Sequence, residues 1–163
     1  MILRPYEPAD WPAVWAVLEP VFRAGETFPH DPAIDSASAR RAWVETVDAT
    51  VVATGLDGTI LGTYYLRPNQ PCLGAHVANA GYVVAEAARG RGVGHALCRH
   101  SQEEARRLGF TAMQFNLVVS TNTAGVAAWS RNGFRTIGTL PGAFRHPRLG
   151  EVDALVMFKS LMG

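Results

Sequence analysis

Apolar residues at Trp11, Val14, Trp15, Leu18 and Phe22 recur at helical spacing, which predicts a helix across Pro8 to Phe22 behind a short strand in "MILRPY". The stretch "RAGETFPHDP" breaks that period with two prolines and a glycine and is predicted to be a loop. Asp35 or Ser36 is placed to cap a second helix running to about Thr46. Two strands are expected around Asp57-Gly58, a hairpin signal, and a loop with Pro68, Asn69 and Pro71 leads to a strand over Val77–Val84. After the stretch "RGRGVG" the period returns to helical. Val93, Leu97, Ala105 and Leu108 share one face, while Glu103 and Arg107, four apart, form a favourable pair on another. Gly109 and Phe110 supply a helix stop of the Schellman type. A strand over Thr111–Val119 follows, then a short helix capped by Asn122 and ending at Gly133. Two last strands, in "FRTIGTL" and "VDALVMFK", flank a loop holding Pro141, Pro147 and Gly150. Helices between strands with a hairpin in the middle make a mixed α/β chain, one domain over residues 1–163.

Composition narrows the class. The chain is 48% hydrophobic and 18% charged, which supports a folded core. A formal net charge of +1 gives no basis for a nucleic-acid or membrane-surface partner. Cys72 and Cys98 lack metal-ligand spacing, so no metal site is expected. The N-terminal residues carry Arg4, Glu7 and Asp10 with no long apolar run, so a cytoplasmic protein is expected.

The chemistry concentrates in Arg89-Gly90-Arg91-Gly92-Val93-Gly94, between a strand and a helix. Glycines let successive N–H groups converge on one point, and a helix start adds unpaired donors and the positive end of its dipole. That is a phosphate site. It has no Gly-Lys-Ser/Thr ending and not the Gly-x-Gly-x-x-Gly spacing, which sets aside the nucleoside-triphosphate and dinucleotide loops. The spacing Arg89-x-x-Gly92-x-Gly94 resembles the acetyl-CoA signature of the GCN5-related N-acetyltransferase (GNAT) superfamily. Asn122, Gly125, Trp129, Gly133 and Phe134 match its second motif. The resemblance implies a mostly antiparallel mixed sheet of about seven strands with about four helices, strands four and five splayed around an acyl-CoA. It implies that backbone groups of Val83 and Val84 pair with the pantetheine arm. The N–H groups of Arg89, Gly90, Arg91, Gly92, Val93, Gly94 and His95 would hold the pyrophosphate, and Asn122 and Trp129 would face the cofactor.

Trp129 stands where many members carry a tyrosine proposed as the acid for the departing thiolate. Indole N–H does not give up its proton near neutral pH, so that role does not transfer. Asn79 and Asn116 each interrupt an apolar strand, and a buried carboxamide needs partners. Their places resemble those of a GNAT subgroup acting on proline analogues such as azetidine-2-carboxylate. There the matching asparagines have substrate-binding or catalytic roles. The resemblance implies direct acetyl transfer from acetyl-CoA to a small-molecule amine, an amino acid or proline analogue, with Asn116 and Asn79 catalytic. A protein N-terminus, lysine, polyamine or antibiotic as acceptor, and a non-catalytic acyl-CoA sensor, are the alternatives. A homodimer is compatible with the fold. No base for the amine proton stands out in the sequence. Arg145 and His146 are placed in the last loop, within reach of an acidic substrate.

Overall fold

The computed structural model describes residues 1–163. Seven strands form one sheet: β1 (Ile2–Pro5), β2 (Ala49–Thr54), β3 (Ile60–Pro68), β4 (Val77–Val84), β5 (Ala112–Val119), β6 (Arg135–His146) and β7 (Gly150–Ser160). Their order is β1-β2-β3-β4-β5-β7-β6, with every neighbouring pair antiparallel except β4 and β5. Four α-helices accompany it: α1 (Trp11–Ala24), α2 (Ser36–Arg40), α3 (Val93–Arg107) and α4 (Thr123–Arg131). No helix is long and apolar enough to cross a membrane.

Strand alternation divides the core between two faces. Tyr64, Leu66, Ala78, Met113 and Phe115 pack with Val93 and Leu97 of α3. On the opposite face Val52, Tyr65 and Val83 pack with Val14, Leu18 and Phe22 of α1 and with Trp43. Burying side chains of this size stabilises by roughly 1.5–3 kcal/mol each. Thr63 is fully buried on that second side without an orphaned hydroxyl. It donates to the Val51 carbonyl at 2.9 Å and accepts from the Trp43 indole at 3.2 Å.

Local chemistry sets the helix ends. Asp35 accepts from the Ser38 N–H at 2.7 Å and starts α2, which runs on into a π-helical turn at Arg41–Glu45. The Schellman stop after α3 forms as its sequence predicts: the Phe110 N–H reaches the Ala105 carbonyl and the Gly109 N–H the Arg106 carbonyl. Two details of α3 differ from expectation. Arg107 pairs with Glu104, three residues back, rather than with Glu103. Leu108 lies beyond the helix and is 39% exposed, while Cys98, Ser101 and Gln102 complete the buried face.

The last hairpin is longer than the sequence suggests. β6 continues through Pro141, which sits in an irregularity between Leu140↔Ala154 and Phe144↔Val152. β6 is an edge strand, and a bulge tolerates a residue without an N–H. The Gly142 N–H bonds instead to the Asp153 carboxylate at 3.0 Å. Arg145 is therefore on a strand, not in a loop. His146 is buried, and its Nδ1 accepts the N–H groups of Arg148 and Leu149, so it shapes the turn into β7.

Candidate active site

β4 and β5 pair only at Val77↔Ala112 and Ala78↔Met113, then part. Along β4 the direct bonds to β3 fall on odd-numbered residues: the Asn69 N–H reaches the Val77 carbonyl, the Ala85 N–H the Leu61 carbonyl, and the register between them is unbroken. The N–H and C=O groups of Ala80, Tyr82 and Val84 consequently point across the gap. Val83 does not share that direction. Its backbone is engaged with Thr63 on β3 and its side chain is buried in the α1-side core. The backbone groups of Val84 face the gap and those of Val83 do not; Tyr82, the other neighbour of Val83, shares the direction of Val84, because neighbouring residues in a strand face opposite ways.

Asn79 is buried on β4 just past the last β4–β5 pair. Its Oδ1 accepts the Ala80 N–H at 2.8 Å, one of the donors that the parting strands leave without a partner. Asn116 is not buried, contrary to the sequence reading. β5 bulges between Phe115↔Met157 and Val118↔Leu155, so Asn116 and Leu117 together oppose Val156, and the Asn116 carboxamide stands exposed. It donates to Asn69 Oδ1 at 2.6 Å and accepts from Gln114 at 3.1 Å.

At the end of β4 a 3₁₀ turn (Glu86–Ala88) leads into the glycine loop. Gly90 and Gly92 have φ of 75° and 79°, the left-handed region that disfavours other residues. This turns the chain directly into α3, whose first carbonyl-paired amide is Ala96, bonded to Gly92. The N–H groups from Gly90 through His95 have no partner within the protein. Arg89, Arg91, His95 and Arg99 are all exposed around them. The Arg89 N–H, by contrast, closes the 3₁₀ turn on Glu86 and is not available to a ligand.

Asn122 caps α4 by accepting the Gly125 N–H at 3.1 Å. Gly125 itself is packed so closely on that side chain that an added Cβ would lie 2.5 Å from Asn122 Nδ2. Trp129 is half-buried, its ring 4.8 Å from Tyr82 and 5.4 Å from Phe115. It joins the two parting strands through aromatic contacts. Tyr82 hydroxyl bonds to Ser101 at 2.7 Å, and burial pushes its pKa well above the ordinary value. Burial likewise pushes the Cys98 thiol up to about 11, which leaves no thiolate for an acyl-enzyme route.

Beyond the β5 bulge lies a cavity of about 340 Å³, lined by Phe28, His30, Asp31, Leu117, Phe144 and Arg145 among others. His30 belongs to the loop between α1 and α2, which the sequence reading passed over. The ring leans on Phe22 at 4.7 Å and on Phe28 at 6.0 Å. Burial, and then the nearby Arg67 charge, hold its pKa below the ordinary histidine value. The Asp31 carboxylate is committed to the Ala33 N–H at 2.8 Å. The signal was present in "TFPHDP": two aromatic rings alternating in a loop otherwise made of polar and turn residues.

Residues 11–134 match the family model "Acetyltransferase (GNAT) family". The chain belongs to that family, and its sheet order and the parallel, parting β4–β5 pair are those of the GNAT fold. It is similar to a GCN5-related N-acetyltransferase from Kribbella flavida, with 47% identity, a TM-score of 0.92, and coverage of 98% of this chain and 96% of the other. The N-acetyltransferase aca1 of Schizosaccharomyces pombe is 34% identical over 99 residues, covering 60% of this chain and 47% of that protein. The chain thus matches about half the length of this curated relative. The fold also resembles that of yncA from Salmonella typhimurium, solved with acetyl-CoA, at a TM-score of 0.84 and 20% identity over 100% of this chain and 95% of the other.

Proposed function

We propose that residues 1–163 form a single N-acetyltransferase domain that moves the acetyl group of acetyl-CoA directly to the amine of a small molecule carrying a carboxylate. An amino acid or proline analogue is the best fit. The observation that carries this reading is the row of unpartnered N–H groups from Gly90 to His95 at the head of the gap between β4 and β5. Such a row, at a helix start, suits the pyrophosphate of coenzyme A. Tyr82 and Val84 would pair with the pantetheine arm as an added strand pairs with a sheet edge. Their N–H groups are also the donors suited to an oxyanion formed at the acetyl carbonyl, each worth about 3 kcal/mol.

The acceptor would occupy the cavity beyond the bulge. Its charged lining favours an anion-bearing amine: Arg145 is exposed there, Arg67 lies close enough to perturb His30, and Asp31 is the one carboxylate, with Oδ1 taken by the Ala33 N–H. A polyamine or lysine would meet two cations against a single carboxylate. Kinship to the S. pombe N-acetyltransferase agrees with acetylation of an amine.

The test is release of free coenzyme A from acetyl-CoA across a panel of azetidine-2-carboxylate, proline, primary amino acids, an alanine-ended peptide and spermidine. Turnover of the amino or imino acids alone is expected. Turnover of the peptide or spermidine alone would remove the acceptor assignment, and binding of acetyl-CoA with no thiol release would favour a sensor.

A further inference from the structure

The acetyl transfer proposed above requires a group to remove the amine proton, and we propose that His30 is that group, receiving the proton at Nε2 within the cavity bounded by the α1–α2 loop, Leu117 and Arg145. The inference rests on that reading of the reaction and on how the ring is held.

Three observations place it. His30 lines the cavity together with Leu117, the bulge residue next to Asn116 on one of the two strands that bound the gap. Its Nε2 is not sealed from solvent and is bonded to nothing in the protein, while Nδ1 is sealed without a partner, so the tautomer that accepts at Nε2 keeps its hydrogen on Nδ1 as an unpaired buried donor, a cost the site bears. The ring is fixed by Phe22 and Phe28, so the open nitrogen keeps its position without a carboxylate behind it.

The protonation state agrees with the task. The charged groups around the ring are Arg67 from β3, Arg145 from β6 and Asp31 from its own loop, while α1 presents Phe22. Partial burial and Arg67 keep the imidazole neutral at pH 7, the form that accepts a proton. A base of this kind gives the proton up to water again readily, so turnover is not held by its release.

The step balances as follows. The acceptor's ammonium first gives one proton to solvent; the amine lone pair so freed forms the N–C bond at the acetyl carbon, and one N–H proton then passes to His30 Nε2. The C–S bond breaks with its electron pair on sulfur, leaving coenzyme A thiolate, which solvent protonates. His30 then returns its proton to solvent. No oxidant or metal enters.

The experiment compares wild type, His30→Gln and His30→Ala, with acetyl-CoA and azetidine-2-carboxylate, proline and alanine as acceptors, from pH 5.5 to 8.5. Expected is a fall of about 10²-fold or more in kcat/KM in both variants, the usual scale for one acid–base group. Acetyl-CoA affinity by calorimetry should stay within twofold. Every profile should rise with pH as the acceptor's ammonium deprotonates; the wild type should carry in addition an acidic limb below pH 6.5 set by His30, and that additional limb should be missing from the residual rate of His30→Gln. Added imidazole should restore part of the rate to His30→Ala, whose cavity can admit it, and not to His30→Gln. Retention of the acidic limb in His30→Gln, or near-wild-type rates in either variant, would overturn the assignment while leaving the transferase reading intact. A wild type that binds acetyl-CoA and releases no thiol with any of these acceptors would overturn both.

Discussion

The Asn116 carboxamide donates to Asn69 Oδ1 at 2.6 Å, tying the bulge of β5 to the first residue after β3 across 47 positions of sequence. Neither strand pairs with the other in the sheet, so this bond, with Gln114 behind it at 3.1 Å, orients the one polar side chain exposed at the bulge. Asn116→Ala is expected to lower kcat by ~10²–10³, as for loss of one well-placed polar stabiliser, with acetyl-CoA affinity unchanged. Because Asn116 is exposed, unfolding stability should fall by no more than ~1 kcal/mol. Asn69→Ala should lower kcat less, and the double variant should be no worse than Asn116→Ala alone. Additive losses in steady-state rates would mean that Asn69 does not act through Asn116.

Asn79 should behave differently. Its Oδ1 serves the Ala80 N–H, a donor that faces the open gap. Asn79→Ala leaves that part-buried donor to water in the gap and is expected to cost ~1 kcal/mol in urea denaturation, the net worth of one hydrogen bond. If its free Nδ2 also positions the acceptor, the acceptor KM should rise more than kcat falls. Asn79→Asp keeps the acceptor oxygen but places a carboxylate at a buried position without an ion-pair partner, so it should recover neither the stability nor the KM.

What the sequence disclosed was mainly what neighbouring residues decide among themselves. The caps at Asp35 and Asn122, the Schellman stop at Gly109 and the glycine loop are all set within six residues of chain, so spacing alone exposes them. The side on which Asn116 emerges is decided by a bulge against β7, and the passage of β6 through Pro141 by an irregularity against the same strand. Those are pairings between distant segments and leave no local signature. Which of Tyr82 and Val83 turns its backbone to the gap depends on the register of β4 with β3, again a pairing between separate segments. The aromatic pair in "TFPHDP" is the local mark of His30, but its placement against Phe22 and beside Leu117 comes from the folded chain.

Trp129 takes the tyrosine's place without its proton. Its ring bridges Tyr82 on β4 and Phe115 on β5, so its contribution is to keep the walls of the gap in position. Trp129→Phe should retain an aromatic wall, with kcat within about fivefold of wild type and a lower melting temperature from lost contact area. Trp129→Ala should lose both stability, by ~3–5 kcal/mol or less given its partial exposure, and acetyl-CoA affinity. A collapse of kcat in Trp129→Phe with unchanged affinity would assign the residue a chemical role.

Gly92 gives the sharpest test of the anion loop. Its φ of 79° lets the chain enter α3 with the amides of Gly90 to His95 unpaired, and an added Cβ there would meet no atom within 4 Å. Gly92→Ala is therefore not blocked by a clash inside the protein; its cost is the left-handed backbone, ~1–2 kcal/mol for a residue with a Cβ. The chain can relieve that strain by rotating the peptide units on either side, which moves the converging N–H groups apart. Acetyl-CoA affinity should fall about tenfold or more for a strain of that size, since 1.4 kcal/mol is tenfold in binding. Gly58→Ala is the matched control: φ there is 85°, the added Cβ also meets no neighbour within 4 Å, and the hairpin turn lies outside the site. Both variants should lose comparable stability in denaturant, and only Gly92→Ala should lose affinity by calorimetry. Equal affinities in the two would move the pyrophosphate away from this loop.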